Sequence, residues 1–312
     1  FLITYIMSDQ RGMKIILSIL FFILSILSKE LGVIGVGLLF FYEFFFRKKN
    51  LRRSWSKITV FGTIVVVYLW LRFTILKFQD MTVVWQGFAY GSSLSMRLAT
   101  FAKNFFVYLG LLIFPKDLYM ERDESMRLVR SLLSPWVAGF LLFHLLLFLL
   151  ILQLDKYKKI NTKHVLFFYI SFLVTMLPFS GVILVNGIFY EHYLYLPMVF
   201  FWGFVFTLAK PLLQYKVSRV MLCMIIIVFV SRSYFRQYEW IDSARFYEQT
   251  LIRAPKSTRI INNLGMELAG HGELEKAIAV YEKGLAIDPS VPNFYHNLAN
   301  AYKDKSDFSK AE

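Results

Sequence analysis

Apolar residues run in long blocks separated by short polar breaks for the first three quarters of the chain. The pattern then changes to a helical period with small residues at fixed places. A membrane-crossing helix needs roughly 17–25 apolar residues. Candidate spans are 14–28, 30–46, 58–76, 134–153, 164–183, 193–209 and 217–231, with an apolar stub at 1–8. From residue 239 onward the blocks are too polar to span. The expected fold class is all-α: a polytopic transmembrane helix bundle over 1–235, followed by an α-solenoid over 239–312.

The second region repeats at a 34-residue offset. Leu264 aligns with Leu298, Gly265 with Ala299 and Ala277 with Ala311; one period earlier Tyr281 aligns with Tyr247, Leu285 with Leu251 and Pro289 with Pro255. Small, aromatic and proline positions in this order at this period are the tetratricopeptide pattern, a pair of antiparallel helices per unit whose common task is protein binding. Asn263 and Asn297 recur at one position of successive units. A side-chain amide both donates and accepts, so a ladder of them suits the backbone of an extended peptide. The plainer reading is local capping or packing. The last unit breaks off at Glu312 and the first apolar stub starts at Phe1, so the chain reads as a piece of a longer protein.

Composition supports the membrane reading. Of 312 residues 57% are hydrophobic and 18% aromatic, and only 18% are charged, below the quarter usual for soluble domains. The net charge of +14 is uneven: residues 239–312 hold 9 basic and 11 acidic side chains, so the excess lies in the apolar part. There it sits in short loops, where it orients helices and does not signal nucleic acid. Arg47, Lys48, Lys49, Arg52, Arg53 and Lys57 mark one cytoplasmic loop; Lys156, Lys158, Lys159 and Lys163 mark a second, and Lys210, Lys216 and Arg219 a third. This places the repeats on the non-cytoplasmic side, with the loops at 28–30, 77–96, 115–133 and 184–192. It also makes 97–114 an interfacial or re-entrant helix, held by Arg97, Lys103 and Asn104. The single cysteine, Cys223, excludes an intrachain disulfide.

Ionisable residues at membrane depth are costly and so are site candidates. Lys29 and Glu30 lie between two apolar half-runs, read either as a short external hairpin carrying a charge pair or as a site where Lys29 meets a phosphate with Glu30 as its resting partner. Arg72, near the outer end of its span, either snorkels or grips a lipid phosphate with its fork. Tyr190, Glu191, His192, Tyr193, Tyr195 and Pro197 form a polar aromatic group, read either as an interfacial belt or as a headgroup or sugar site. His144 reads as a hydrogen-bonded bundle histidine. No metal-spaced set, serine triad or glycine phosphate loop is present, and no cofactor is expected.

Ser28-Lys29-Glu30 through Gly32 and Gly35 to Tyr42-Glu43, Tyr108-Leu109-Gly110 through Phe114-Pro115, Glu191-His192-Tyr193-Leu194-Tyr195-Leu196-Pro197, and the repeats after Trp240 together resemble the transmembrane and tetratricopeptide repeat-containing proteins. The resemblance implies a GT-C-type glycosyltransferase that moves a sugar, mannose in eukaryotic members, from a polyprenyl-phosphate carrier to a protein Ser or Thr on the non-cytoplasmic face. It implies an acidic base in a first external loop, which would lie upstream of Phe1, and repeats that hold the acceptor. Read with the polar residues singled out above, this makes Lys29, Glu30, Arg72, Glu191 and His192 the candidates for lipid-phosphate or donor contact, and Asn263 and Asn297 the candidates for peptide contact. The family reads Glu-Arg where this chain has Glu191-His192, and a neutral imidazole is a weaker phosphate ligand. Two other readings are an inactive membrane-anchored scaffold and a lipid-linked sugar transporter.

Overall fold

The computed structural model describes residues 1–7, 12–47, 51–76, 89–116, 118, 128–157, 160–185 and 187–311, without the side chains of 12, 51–54, 308 and 311. Lys48, Lys49, Lys158 and Lys159, and much of the expected external stretches 77–96 and 115–133, lie outside the described residues.

Among the described residues every regular element is a helix. In order, the longer helices are α1 Leu2–Ile6, α2 Gly12–Ser28, α3 Gly35–Phe46, α4 Leu51–Thr74, α5 Leu94–Ile113, α6 Pro135–Lys156, α7 Thr162–Met176, α8 Pro197–Ala209, α9 Lys216–Trp240, α10 Ser243–Arg253, α11 Thr258–Gly270, α12 Leu274–Ile287 and α13 Pro292–Asp304. Two compact units are formed. One holds Phe1–Pro115, Leu128–Asn186 and His192–Leu212; the other holds Lys116–Arg127, Gly187–Glu191 and Leu213–Glu312.

Among the described residues, five helical segments are long and apolar enough to cross a membrane: Trp55–Thr74, Leu94–Ile113, Pro135–Lys156, Thr162–Phe179 and Lys216–Trp240. Their outward faces show why. In α6 only Ile151 is buried, while Leu141, Leu142, Leu145, Leu146, Phe148 and Leu149 are exposed. A helix apolar on every side is stable only in an apolar solvent or core.

Element boundaries differ from the hydropathy blocks in four places. The block 30–46 begins with a 3₁₀ turn, Glu30–Ile34, before α3 starts. The block 193–209 likewise begins with the 3₁₀ turn Glu191–Leu194 and enters α8 only at Pro197, a favoured first helical residue. Helix α4 starts seven residues before the apolar block, so Arg52, Arg53 and Lys57 sit in its first turns. Helix α9 continues through 235 to Trp240 without a break, so the step from apolar block to repeats falls inside a helix and not at a linker. Hydropathy reads side chains, whereas a helix continues as long as its backbone ladder does. Helix α5 runs unbroken for 20 residues, and its length alone permits a crossing.

Within the first unit Tyr5, Phe22, Ile26, Leu39 and Phe61 form the core that joins α1 to α4. Helices α7 and α8 pack closely, with the Phe168 ring in the notch left by Gly203. Helix α5 is latched by Arg97, which donates from Nε to the Gly181 carbonyl (2.6 Å) and from Nη1 to the Gly91 carbonyl (2.6 Å). In the second unit the repeat core is Ile261, Leu264, Leu268, Ala277, Ile278, Tyr281, Phe294 and Ala301. The Ser257 hydroxyl caps α11 and the Asp242 carboxylate caps α10, which satisfies amides that helix starts leave orphaned.

Candidate functional site

Helix α2 ends at Ser28, and Lys29 turns the chain in an extended conformation (φ −154°, ψ 131°). The Gly32 amide closes the turn on the Lys29 carbonyl at 2.8 Å. Gly32 is needed here: a Cβ would stand 2.8 Å from the Ile26 nitrogen and the Ser25 carbonyl carbon, both backbone atoms of the preceding helix. The chain thus doubles back tightly and holds Lys29 and Glu30 at the turn.

Glu30 reaches Arg72, near the end of α4, with Oε2 2.8 Å from Nη2. The Arg72 Nη1 also donates to the Tyr68 hydroxyl one turn back, at 3.3 Å. The pairing expected between Lys29 and Glu30 is therefore replaced by Glu30 with Arg72. Adjacent side chains point apart, while a residue on a neighbouring helix end meets Glu30 head-on. Arg72 keeps 15% of its side-chain surface exposed and Glu30 61%. Lys29 is exposed beside them. Two cations and one carboxylate share this corner, leaving an excess of one positive charge. A guanidinium held by partners and partly screened from water, as Arg72 is, suits an anionic oxygen.

Glu191 and His192 stand on a different element, the 3₁₀ turn Glu191–Leu194. The turn is anchored by Tyr193, whose ring stacks on Phe179 at 3.9 Å and 12°. His192 meets the Tyr193 ring edge-on at 4.9 Å. The polar aromatic group is divided: Tyr190 and Tyr193 are buried, Tyr195 is 77% exposed, and Glu191 belongs to the unit of the repeats while His192 belongs to the other.

On the repeats the Asn297 amide donates to Oδ1 of Asn262 at 2.8 Å, and Asn262 in turn contacts the Met266 sulfur at 3.4 Å. Half of the Asn297 amide thus ties one repeat to the next. The rung that bonds is Asn262 with Asn297, not a direct Asn263–Asn297 pair. Asn263 is half-buried on the same helix.

His144 is bonded as a bundle histidine, with Nδ1 2.7 Å from the Phe140 carbonyl and the rings of Phe105, Phe140 and Phe143 around it. A second polar centre was not singled out from the sequence. The buried Glu43 carboxylate accepts from the Tyr5 hydroxyl at 2.6 Å and lies 3.6 Å from Arg47. The Arg47 guanidinium also stands 5.7 Å from the Tyr5 ring centre. Its signal was present: Glu43 is the lone acid in the apolar stretch from Leu31 to Phe46.

Residues 267–306 match the TPR repeat family. Over 293 residues, 93% of this chain, the sequence is 24% identical to the protein O-mannosyl-transferase F38B6.6 of Caenorhabditis elegans. The match spans 41% of that protein's length. The chain is thus similar, across its apolar helices and its repeats alike, to a glycosyltransferase. The structure supplies the membrane-length helices, and the family match lies in the repeats that follow them.

Proposed function

We propose that this chain is part of a GT-C-type membrane glycosyltransferase. It moves a mannose-like sugar from a polyprenyl-phosphate carrier to Ser or Thr of a protein on the non-cytoplasmic face, and its repeats hold the acceptor. The observation that carries this reading is the Glu30–Arg72–Tyr68 cluster with Lys29 beside it. It sets a guanidinium, fixed by two partners, at the end of a membrane-length helix. The similarity to a protein O-mannosyl-transferase supports the reaction class.

The chemistry follows from charge. The bond between the sugar C1 and the carrier's phosphate oxygen breaks, and a bond from the acceptor hydroxyl oxygen to C1 forms. The polyprenyl phosphate departs with the electron pair. The hydroxyl proton passes to a general base outside the residues assigned here. Negative charge grows on the leaving phosphate, and Arg72 and Lys29 stabilise it where water is scarce. Glu30 holds Arg72 in place until the phosphate arrives. Glu191 and His192 lie at the entry of α8 and contribute hydrogen bonds to the sugar or headgroup. On the repeats, Asn263 and the free acceptor side of Asn297 hold backbone amides of the peptide.

The test is transfer from polyprenyl-phosphate sugars to Ser/Thr peptides by the full-length protein. Arg72→Ala is expected to lower turnover by about 100-fold or more, the scale of losing one charge-stabilising donor, with Arg72→Lys in between. Unchanged turnover in Arg72→Ala and Lys29→Ala removes these assignments. Absence of transfer from every donor, with acceptor peptides still bound by the repeats, gives the scaffold.

A further inference from the structure

The apolar stretch of α9 ends at Val230, and its first charge beyond is Arg232, followed one turn later by Arg236. At 1.5 Å per residue the two stand about 6 Å apart along the axis. After Trp240 the chain turns at Asp242, whose carboxylate accepts from the Arg245 amide at 3.0 Å and starts α10. On α10, Arg245, Gln249 and Arg253 recur every four residues and so share one stripe. Trp240 packs on Phe246 at 4.4 Å between ring centres and fixes the corner between the two helices.

A cavity of about 280 Å³ occupies this corner, lined by Arg232, Arg236, Glu239, Arg245, Gln249 and Arg253 over a floor that includes Phe246. Four guanidiniums face one carboxylate. Arg236 is held by its ion pair with Glu239 and lies over the Trp240 and Phe246 rings at 5.9 and 5.8 Å. Arg232 and Arg253 also engage other groups of the chain, so the four count as a converging set and not as unpaired charges. Basic residues at a span's end commonly orient it. Helix α9 is basic at both ends, with Lys216 and Arg219 at the other, so orientation alone does not account for the cluster.

We propose that this cavity binds a phosphate group, and that its source is the headgroup of an anionic lipid. The guanidinium fork matches two phosphate oxygens at once, and several forks converging on one cavity favour a phosphate monoester over a zwitterionic headgroup. The cavity opens where a lipid-length apolar helix ends, which is the depth at which headgroup phosphates lie. The site would seat the first repeat helix on the membrane surface. It is separate from the Lys29–Arg72 corner and does not depend on sugar transfer.

The test is lipid retention by the full chain purified in detergent, read by native mass spectrometry with phosphatidic acid, phosphatidylcholine and inorganic phosphate as probes. Wild type is expected to retain phosphatidic acid about tenfold over phosphatidylcholine, the scale of a few charge-assisted bonds, and millimolar inorganic phosphate is expected to leave that retention intact. The Arg245→Gln/Arg253→Gln pair is expected to lose most of the preference. The Arg245→Lys/Arg253→Lys pair is expected to keep part of it, and it decides the matter should the Gln pair fold poorly. Equal retention in wild type and variants overturns the proposal, as does no preference in wild type, the result if the chain's own acids fill the cavity. Binding of inorganic phosphate with no preference among lipids overturns the lipid source.

Discussion

The turn at Gly32 in the first unit and the notches at Gly265 and Gly284 in the repeats all need glycine, but what each packs against differs. In the repeats a Cβ on Gly265 would stand 2.3 Å from the Tyr281 ring, and one on Gly284 would stand 2.4 Å from Phe294. In the membrane unit a Cβ on Gly32 would meet backbone of the preceding helix. The repeats are a two-layer helix pair whose notch receives a side chain, and each member of the Gly265–Tyr281 pair has a counterpart one period away, Ala299 for the first and Tyr247 for the second. At Gly32 the chain passes its own backbone, and no side chain nearby can be trimmed to make room. The first arrangement leaves a period in the sequence; the second leaves only a glycine.

That difference predicts the largest effects. Gly32→Ala and Gly265→Ala are each expected to cost about 1–3 kcal/mol by overpacking, read as lost folded yield or thermal stability. Shortening the partner separates them. Tyr281→Leu is expected to restore much of the loss in Gly265→Ala, whereas no neighbouring side-chain change restores Gly32→Ala. Rescue of both, or of neither, breaks the contrast.

Legibility from sequence follows the same line. The solenoid was readable because Leu264, Gly265, Ala277, Tyr281 and Pro289 recur in phase with their neighbours, and the TPR match at 267–306 holds three of them, Ala277, Tyr281 and Pro289. The all-helical fold was readable because apolar blocks admit little else in a bilayer. The spans' true ends were not, since α4 and α9 continue past their apolar blocks in residues of ordinary helix propensity. In the candidate site, the residue types at Lys29, Glu30 and Arg72 stood out by cost, but the partner of Glu30 did not. Which carboxylate meets which cation depends on how α4 packs beside the turn, 42 positions away, and no local pattern encodes it. Glu43 was visible as a lone acid, while its bond to Tyr5 was not. The Asn262–Asn297 bond was not legible, because the repeat offset aligns identical positions and the hydrogen bond crosses from one position to its neighbour.

A smaller effect sharpens the reading of the repeats. Asn297→Ala is expected to destabilise the α11–α13 contact by about 0.5–1.5 kcal/mol, the net worth of one hydrogen bond, seen as faster amide exchange in α13. If Asn297 serves acceptor peptides alone, exchange without peptide stays as in wild type.

The smallest effect concerns acid. The Ser290 hydroxyl and amide both donate to Asp288 and hold its carboxyl below the ordinary carboxylate value. Its own backbone amide and Lys305 do the same for Glu275. A depressed folded-state pKa contributes stability that is present above the unfolded value, near 4 by rough reference, and is lost as pH falls through the folded value. Exchange protection in α12 and α13 is expected to drop in that acid window and to depend less on pH in Asp288→Asn. At the basic end, burial pushes the Tyr281 hydroxyl up to about 12, so that contribution holds below the usual tyrosine value and fades as pH rises through about 12.

The proposed sugar transfer requires lipid carrier and acceptor protein to meet in one compartment. Cysteines placed one at a time at Lys29 and Gly270, in a Cys223→Ser background, report the side each faces when intact membranes meet an impermeant thiol reagent. The account predicts labelling of both from the non-cytoplasmic side. Labelling of the two positions from opposite sides contradicts it.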